Sequence, residues 1–297
     1  MMTPNFYHLL SSSFLLWLNH NFFNKSQAFT NVSSLFYPIN NVSGFQGETI
    51  YGLYTYASPY SSQMISDGSI NNATVMTGIY LNNNFITPGT SGFLGINYEK
   101  SQLYFNQQLP QNSVLSGNYT IKDFSLQLTN VSEQKLLYET QYVTRPRVAQ
   151  NLTAAPLNSI SYPCILIKTI PDENVPHAFG GLDESKVTMG CLIFTDSQYL
   201  LDGTVGYLND MVREYVPLLK QSEFPYNIYG SFINSGIYSY TGSVSSKIPN
   251  GSGVLIKRVI ASRFDQTDIG NVSPSAFFAT VDFELSAFRY PRMGSNF

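Results

Sequence analysis

The stretch KVTMGCLIFTD (186–196), taken with SYPCILIKTI (161–170) before it and LDGTVGYLNDMVREY (201–215) after it, decides the class of fold. The first two are short, apolar and rich in β-branched residues, the signature of buried strands. The third sets Leu201, Val205, Leu208, Val212 and Tyr215 at alternating steps of four and three, one stripe of a helix. Asp202 is the expected cap of that helix and Pro217 its stop. The polar stretch PDENVPHAFGGLDES (171–185) reads as the loop between the strands. Strand, strand, helix is an α+β unit.

Outward from this unit the chain reads as short strands and turns. GVLIKRVIASRF (253–264) and ATVDFELSAF (279–288) are strands on its C-terminal side. On the N-terminal side, SGNYTIKDFSLQLTN (116–130) alternates at Phe124, Leu126 and Leu128, a half-buried strand. A short helix is expected after it, capped by Asn130 with Glu133 completing a capping box, carrying Leu136 and Leu137 and ending near Arg145-Pro146. GINYEKSQLYF (95–105) is a hairpin with the polar tip Glu99-Lys100-Ser101. ATVMTGIYL (73–81) is a strand, and NNNFITPGTSG (82–92) a loop. Residues 24–45, rich in Asn and Ser, read as a linker or wrapping arm.

The first segment, FYHLLSSSFLLWLNHNFF (6–23), resembles a signal peptide in apolarity but lacks its basic start and small-residue cleavage site. It also falls short of an unbroken membrane span. Tyr7, Leu10, Phe14 and Trp17 mark one face of an amphipathic helix, expected to stay in the mature protein and to dock; a cleaved signal is the alternative. The expected class is α+β, predominantly β, with antiparallel sheets or a sandwich, an amphipathic N-terminal helix and the strand–strand–helix unit in the second half. A composition shift at AQNLTAAPLNS (149–159) divides it into a helix and extended arm (1–45), a β-rich domain with a short C-terminal helix (46–150) and an α+β domain (151–297), with a single domain as the alternative.

Composition narrows the function. Charged residues make up 12% of the 297, and aromatics 14%, with 21 Tyr and 21 Phe. So little charge and so many aromatics fit a folded chain, and a surface of Tyr, Asn and Ser suits protein contacts. The net charge is -3 and no basic run exceeds Lys257-Arg258, which argues against sequence-specific nucleic-acid binding. Nine N-x-S/T sequons, among them Asn31, Asn118, Asn151 and Asn271, fit either glycosylation or chance in an Asn/Ser-rich chain. Cys164 and Cys191 fit either two buried thiols or one disulfide between adjacent strands.

Three constellations bear on chemistry. Asp282 and Glu284 lie on one face of a strand, about 7 Å apart, a spacing compatible with glycoside hydrolysis. Val281, Phe283 and Leu285 face the core, however, so the acids face outward, where Lys257 or Arg258 can pair with them. Asp172, Glu173, His177, Asp183 and Glu184 gather oxygen and nitrogen ligands in the 171–185 stretch, but without the spacing of a calcium loop; a solvated loop is the competing reading. Of the three histidines, only His177 is placed to serve a Ser-His-Asp triad. No H-x-x-x-H, C-x-x-C, G-x-S-x-G or phosphate-binding glycine loop occurs. Catalytic, cofactor and metal residues are therefore all expected to be none.

GINYEKSQLYFNQQLPQNSVLSGNYTIKDFSLQL (95–128) resembles a passage in structural proteins of tailed-bacteriophage virions: a G-I-N-Y strand, an L-Y-F strand, an S-V-L-S-G-N-Y return and K-D-F. MTPNFYHLL (2–10) is similar to openings of neck and tail-associated proteins. The strand–strand–helix of 160–216 resembles small α+β modules of tail-completion and neck rings. The resemblance implies a non-enzymatic assembly subunit in the neck or tail of a virion, forming a ring with copies of itself and with a portal or connector, tail terminator or sheath protein, and with no membrane partner. It brings no catalytic residues. A receptor- or glycan-binding tail or baseplate protein, or an adhesin, is the alternative, and a polysaccharide depolymerase a third.

Overall fold

A computed structural model describes residues 6–38, 53–132, 135–136, 142–143, 160–178, 181–227, 230–233, 237–247, 253–264 and 277–290. Strands predominate, and the α+β, mainly β class holds.

The first element is the helix Phe6–Ser26. The stripe of Leu10, Phe14 and Trp17 is buried as expected, but so are Leu9, Leu16, Leu18, Phe22 and Phe23 on its other sides. A helix apolar around most of its girth belongs inside a core, not on a surface. Here it packs against the sheet of the second half: Phe14 lies edge-on to Phe283, with ring centroids 5.3 Å apart.

Residues expected to be linker form a strand instead. β1 (Phe29–Pro38) pairs with β7 (Leu115–Lys122) from Phe29↔Lys122 to Phe36↔Leu115, then with β2 (Tyr54–Ala57) at its end. With β3 (Ile79–Leu81), β4 (Asn84–Ile86), β5 (Phe93–Asn97) and β6 (Gln102–Phe105) they form a seven-stranded sheet in the order β4-β3-β7-β1-β2-β6-β5. The β5–β6 hairpin is the expected one, with Ile96 opposite Leu103. β4 replaces part of the expected 82–92 loop. Asn82 and Asn83, with φ of 49° and 67°, form the tight left-handed turn that closes β3 onto it, a conformation Asn tolerates. Ile79, Phe93, Leu103 and Tyr119 share one buried cluster, so strands far apart in the order curl around a common core. The half-buried strand expected at 116–130 is broken at Asp123-Phe124. β8 (Ser125–Leu128) leaves this sheet and joins the second one.

The second sheet has the order β13-β14-β15-β12-β11-β8. Its strands are β8, β11 (Cys164–Ala178), β12 (Leu182–Thr195), β13 (Tyr215–Pro217), β14 (Gly253–Arg263) and β15 (Phe277–Arg289). Two short strands, β9 (Tyr142–Val143) and β10 (Ile160–Ser161), pair in parallel as a separate two-stranded sheet. The 171–185 stretch is no loop: β11 and β12 run through it and stay paired as far as Ala178↔Leu182. Register shifts at Pro171/Asn174 and Pro176/Ala178 accommodate the two prolines, which cannot donate to the ladder. β8 covers only Cys164–Ile167 of β11's other edge, and β13 only Gly253–Leu255 of β14's. β14 itself carries a register shift at Ile256/Arg258.

The helix of the strand–strand–helix unit spans Gln198–Asn209, earlier than its apolar stripe suggested. Ser197, not Asp202, caps it by accepting a hydrogen bond from the Leu200 N–H. It ends before Val212, which is exposed, and Tyr215 belongs to β13. Leu201, Val205 and Leu208 join the N-terminal helix, Val187, Met189, Ile193, Val281 and Phe283 in the main core. The helix expected over 130–145 lies largely outside the described residues. Within the described residues the Leu136 N–H donates to Ser132 O at 3.0 Å. The division expected near residue 150 also falls outside them.

Cys164 and Cys191 are free and buried. Cys164 faces Leu166 and Phe194 in a small cluster, whereas Cys191 faces Ile167 and Met189 in the main core. They lie on opposite faces of one sheet, which rules out the disulfide alternative.

Candidate functional site

Where the N-terminal helix meets the seven-stranded sheet, the apolar core gives way to a buried polar centre. Apolar neighbours hold the helix in place, and this forces two of its polar residues, Asn19 and His20, inward.

His20 Nδ1 lies 2.7 Å from Asp67 Oδ2, and both residues are buried. Asp67 Oδ1 accepts from the Ser69 hydroxyl at 2.6 Å and from the backbone N–H groups of Ser69 (2.9 Å) and Tyr240 (3.0 Å). Burial pushes this carboxyl up. The bonds from His20, Ser69 and the Tyr240 N–H outweigh it and hold the pKa below the usual 3.8. The His20 ring stacks on Tyr240, centroids 4.8 Å apart. Ser69 bonds the carboxylate of the pair, and its oxygen is 3.4 Å from the same Nδ1 that faces Asp67. A triad needs the hydroxyl at the far ring nitrogen, so this arrangement locks the helix and does not activate a serine.

Beside the neighbouring helix residue, Asn19, Lys122 of β7 is buried. Its Nζ donates to Asn19 Oδ1 at 2.6 Å and Gln63 Oε1 at 3.2 Å, and lies 5.3 Å from the centroid of the Phe23 ring. Gln63 is itself pinned, donating to Leu126 O (2.9 Å) and accepting from the Leu126 N–H (3.0 Å). Burial pushes Lys122 down to about 8, against the opposing pull of Glu99 and Asp67. A cavity of about 30 Å³ opens here, lined among others by Asn19, Gln63, Glu99, Lys122, Tyr98 and Tyr226. That is room for one or two waters and no more. Tyr226 bonds Ser66, and burial pushes its phenol up. The hydroxyls of Tyr238 and Tyr240 are buried with no partner among the described residues.

The residues singled out from sequence lie elsewhere and do not converge. Asp282 and Glu284 project outward from β15, as expected from the burial of Val281, Phe283 and Leu285. Arg258 lies 3.7 Å from Glu284, one of the two expected partners. Lys257 instead bonds Glu184, which also accepts from Ser286 at 2.6 Å. Asp282 faces Gly190 across the sheet, where a side chain would meet its carboxylate. Glu173 pairs with Lys186 at 3.0 Å, and the His177 ring sits 4.5 Å from Phe288. Among the described residues no three His, Cys, Asp or Glu side chains form a group able to hold a metal. Of the sequons, Asn31 has its amide committed, donating to Asn72 O at 2.9 Å. Among the described residues no helix is long and apolar enough to cross a membrane.

His20, Asp67, Asn19 and Lys122 were not singled out from the sequence, because the partners are 47 and 103 residues apart. The available signal was polarity in the wrong place: Asn19-His20 inside an apolar helix, and a lysine closing the apolar run of β7.

Compared with protein-family models, curated proteins and solved structures, the chain matches none.

Proposed function

We propose that the chain is a non-enzymatic assembly subunit, acting in a virion neck or tail-completion ring through contacts with copies of itself and with neighbouring structural proteins. The observation that carries this reading is the outer half of the β11–β12 hairpin. From Ile170 to Ala178 every residue but the half-buried Val175 is exposed, and none belongs to a core cluster. Phe288 and Tyr290 are exposed at the adjoining end of β15. An ordered, paired strand kept outside the cores suits burial against a second subunit, and a ring needs two different complementary faces. The exposed hairpin tip at Glu99-Lys100 supplies charge that sets register in such a contact.

Sedimentation velocity over a concentration series tests it. A closed oligomer is expected, reduced to monomer by Phe288→Asp. A monomer at every concentration, together with absence from purified particles, would overturn the reading.

One feature favours glycan binding as the second reading. Leu35, Tyr80 and Phe85 line up across β1, β3 and β4 on the outer face, all exposed, beside the amides of Asn82 and Asn83. Uncharged aromatics and amides suit a neutral sugar. Saturable binding on a glycan array, lost in Tyr80→Ala, would favour it; no binding to any glycan would remove it.

A further inference from the structure

We propose that Lys122 and Asn19 form an intramolecular isopeptide bond, without any added enzyme, that joins the N-terminal helix covalently to β7. This inference is independent of the assembly reading.

Contact is the first argument. Nζ of Lys122 is 2.6 Å from Oδ1 of Asn19, although 103 residues of chain separate them. Both residues are buried, at 8% and 7% exposure, and Phe23 covers the amine. The fold thus holds an amine against a carboxamide with little competing water, the arrangement in which a slow bimolecular reaction becomes intramolecular.

Protonation is the second. Attack needs the neutral amine, and burial lowers the basicity of Lys122 enough to populate it near neutral pH.

The third is a proton carrier. Glu99 lines the same cavity as Lys122 and Asn19 and its charge acts on the Lys122 amine, which places a carboxylate near the reacting groups.

The step balances. The neutral Nζ attacks Cγ of Asn19, forming a C–N bond. One Nζ proton passes by way of the Glu99 carboxylate to Nδ2. The Cγ–Nδ2 bond then breaks and ammonia leaves, with Glu99 restored. No electrons are transferred and no co-reactant is consumed. Gln63 is the poorer acyl donor: its oxygen is farther from Nζ, at 3.2 Å, and its amide is held by two bonds to the Leu126 backbone.

Intact-mass spectrometry of the full chain, purified and kept folded at mildly alkaline pH, tests this directly. The expected mass is that of the sequence less one ammonia. A protease digest is expected to yield one branched peptide containing residues 19 and 122. Lys122→Arg and Asn19→Ala are expected to restore the full mass. Glu99→Gln, at an exposed turn, is expected to slow linkage about a hundredfold, the scale of one general acid–base contribution. An unmodified wild-type mass, with both residues recovered in linear peptides from folded protein, would overturn the proposal whatever the variants do. An unchanged rate in Glu99→Gln would overturn the role given to that residue.

Discussion

Phe14→Ala decides whether the N-terminal helix is core or appendage. The ring is fully buried, 5.4 Å from Trp17 and 5.3 Å from Phe283 by centroid. Truncating a buried phenylalanine costs about 3–5 kcal/mol, combining lost transfer energy with the cavity left behind. The edge-on pair with Phe283 is part of that loss. Against a net stability of roughly 5–15 kcal/mol, this is at least about a fifth of the total. With a urea slope of about 3 kcal/mol per molar, the midpoint falls by about 1 M or more. Trp17 is the single tryptophan, so its fluorescence reports on the site itself. Urea titration followed by that signal and by far-ultraviolet circular dichroism is expected to give coincident transitions, both shifted in the variant. Tyr199→Ala, at a residue 87% exposed, is the control and is expected to change stability by less than about 0.5 kcal/mol. A Phe14→Ala midpoint equal to the control's would refute the packing argument. So would a fluorescence transition in the parent protein that precedes the loss of secondary structure, because the helix would then be peeling off alone.

Asp67→Ala leaves His20 and two N–H groups without their acceptor and is expected to cost about 3–5 kcal/mol in the same titration. Because the folded Asp67 carboxyl titrates below its unfolded value of 3.8, its contribution is complete above that pH and is lost as pH falls through the folded value. The acid limb of the stability profile should therefore be shallower in Asp67→Ala than in the parent; identical limbs would contradict the assignment. Ser197→Ala removes a helix cap and is expected to cost about 1 kcal/mol by thermal melting. Both thiols are buried and pushed upward by that burial, so Ellman's reagent is expected to find neither in the folded chain and both after denaturation. Recovery of a disulfide between Cys164 and Cys191 would contradict the two-face geometry. Glu284→Gln breaks only an exposed pair and is expected to change stability by less than about 1 kcal/mol.

The apolar strands were legible because each has an uninterrupted side to bury. β11's first half, β12, β14 and β15 all lie where their β-branched runs place them, and the β5–β6 hairpin announces itself by alternation around a polar tip. β1 was not legible. Its inward Ser34 reads as linker chemistry until its partner is known, the Tyr119 hydroxyl 2.6 Å away. The outer half of β11 was missed for a related reason. Pro171, Asp172, Glu173 and Pro176 have turn-like local preferences, and only pairing with β12 overrides them. The buried centre was the least legible part. The His20–Asp67 and Asn19–Lys122 contacts are created by the packing of a helix on a sheet, and no spacing along the chain encodes them.

The uncovered part of β11 has a consequence for how these molecules behave when crowded. A bare strand edge is a template on which any passing strand can add itself, then another, and growth of that kind ends in fibrils. Pro171 and Pro176 offer no N–H to such a newcomer, and the two register shifts beside them spoil the straight row of acceptors it would need. On the opposite side of the sheet, β14 carries its own register shift between Ile256 and Arg258, which breaks the row in the same way. Concentrated chains are thereby steered away from indefinite backbone-to-backbone stacking, and any finite complex they build must be read out by side chains.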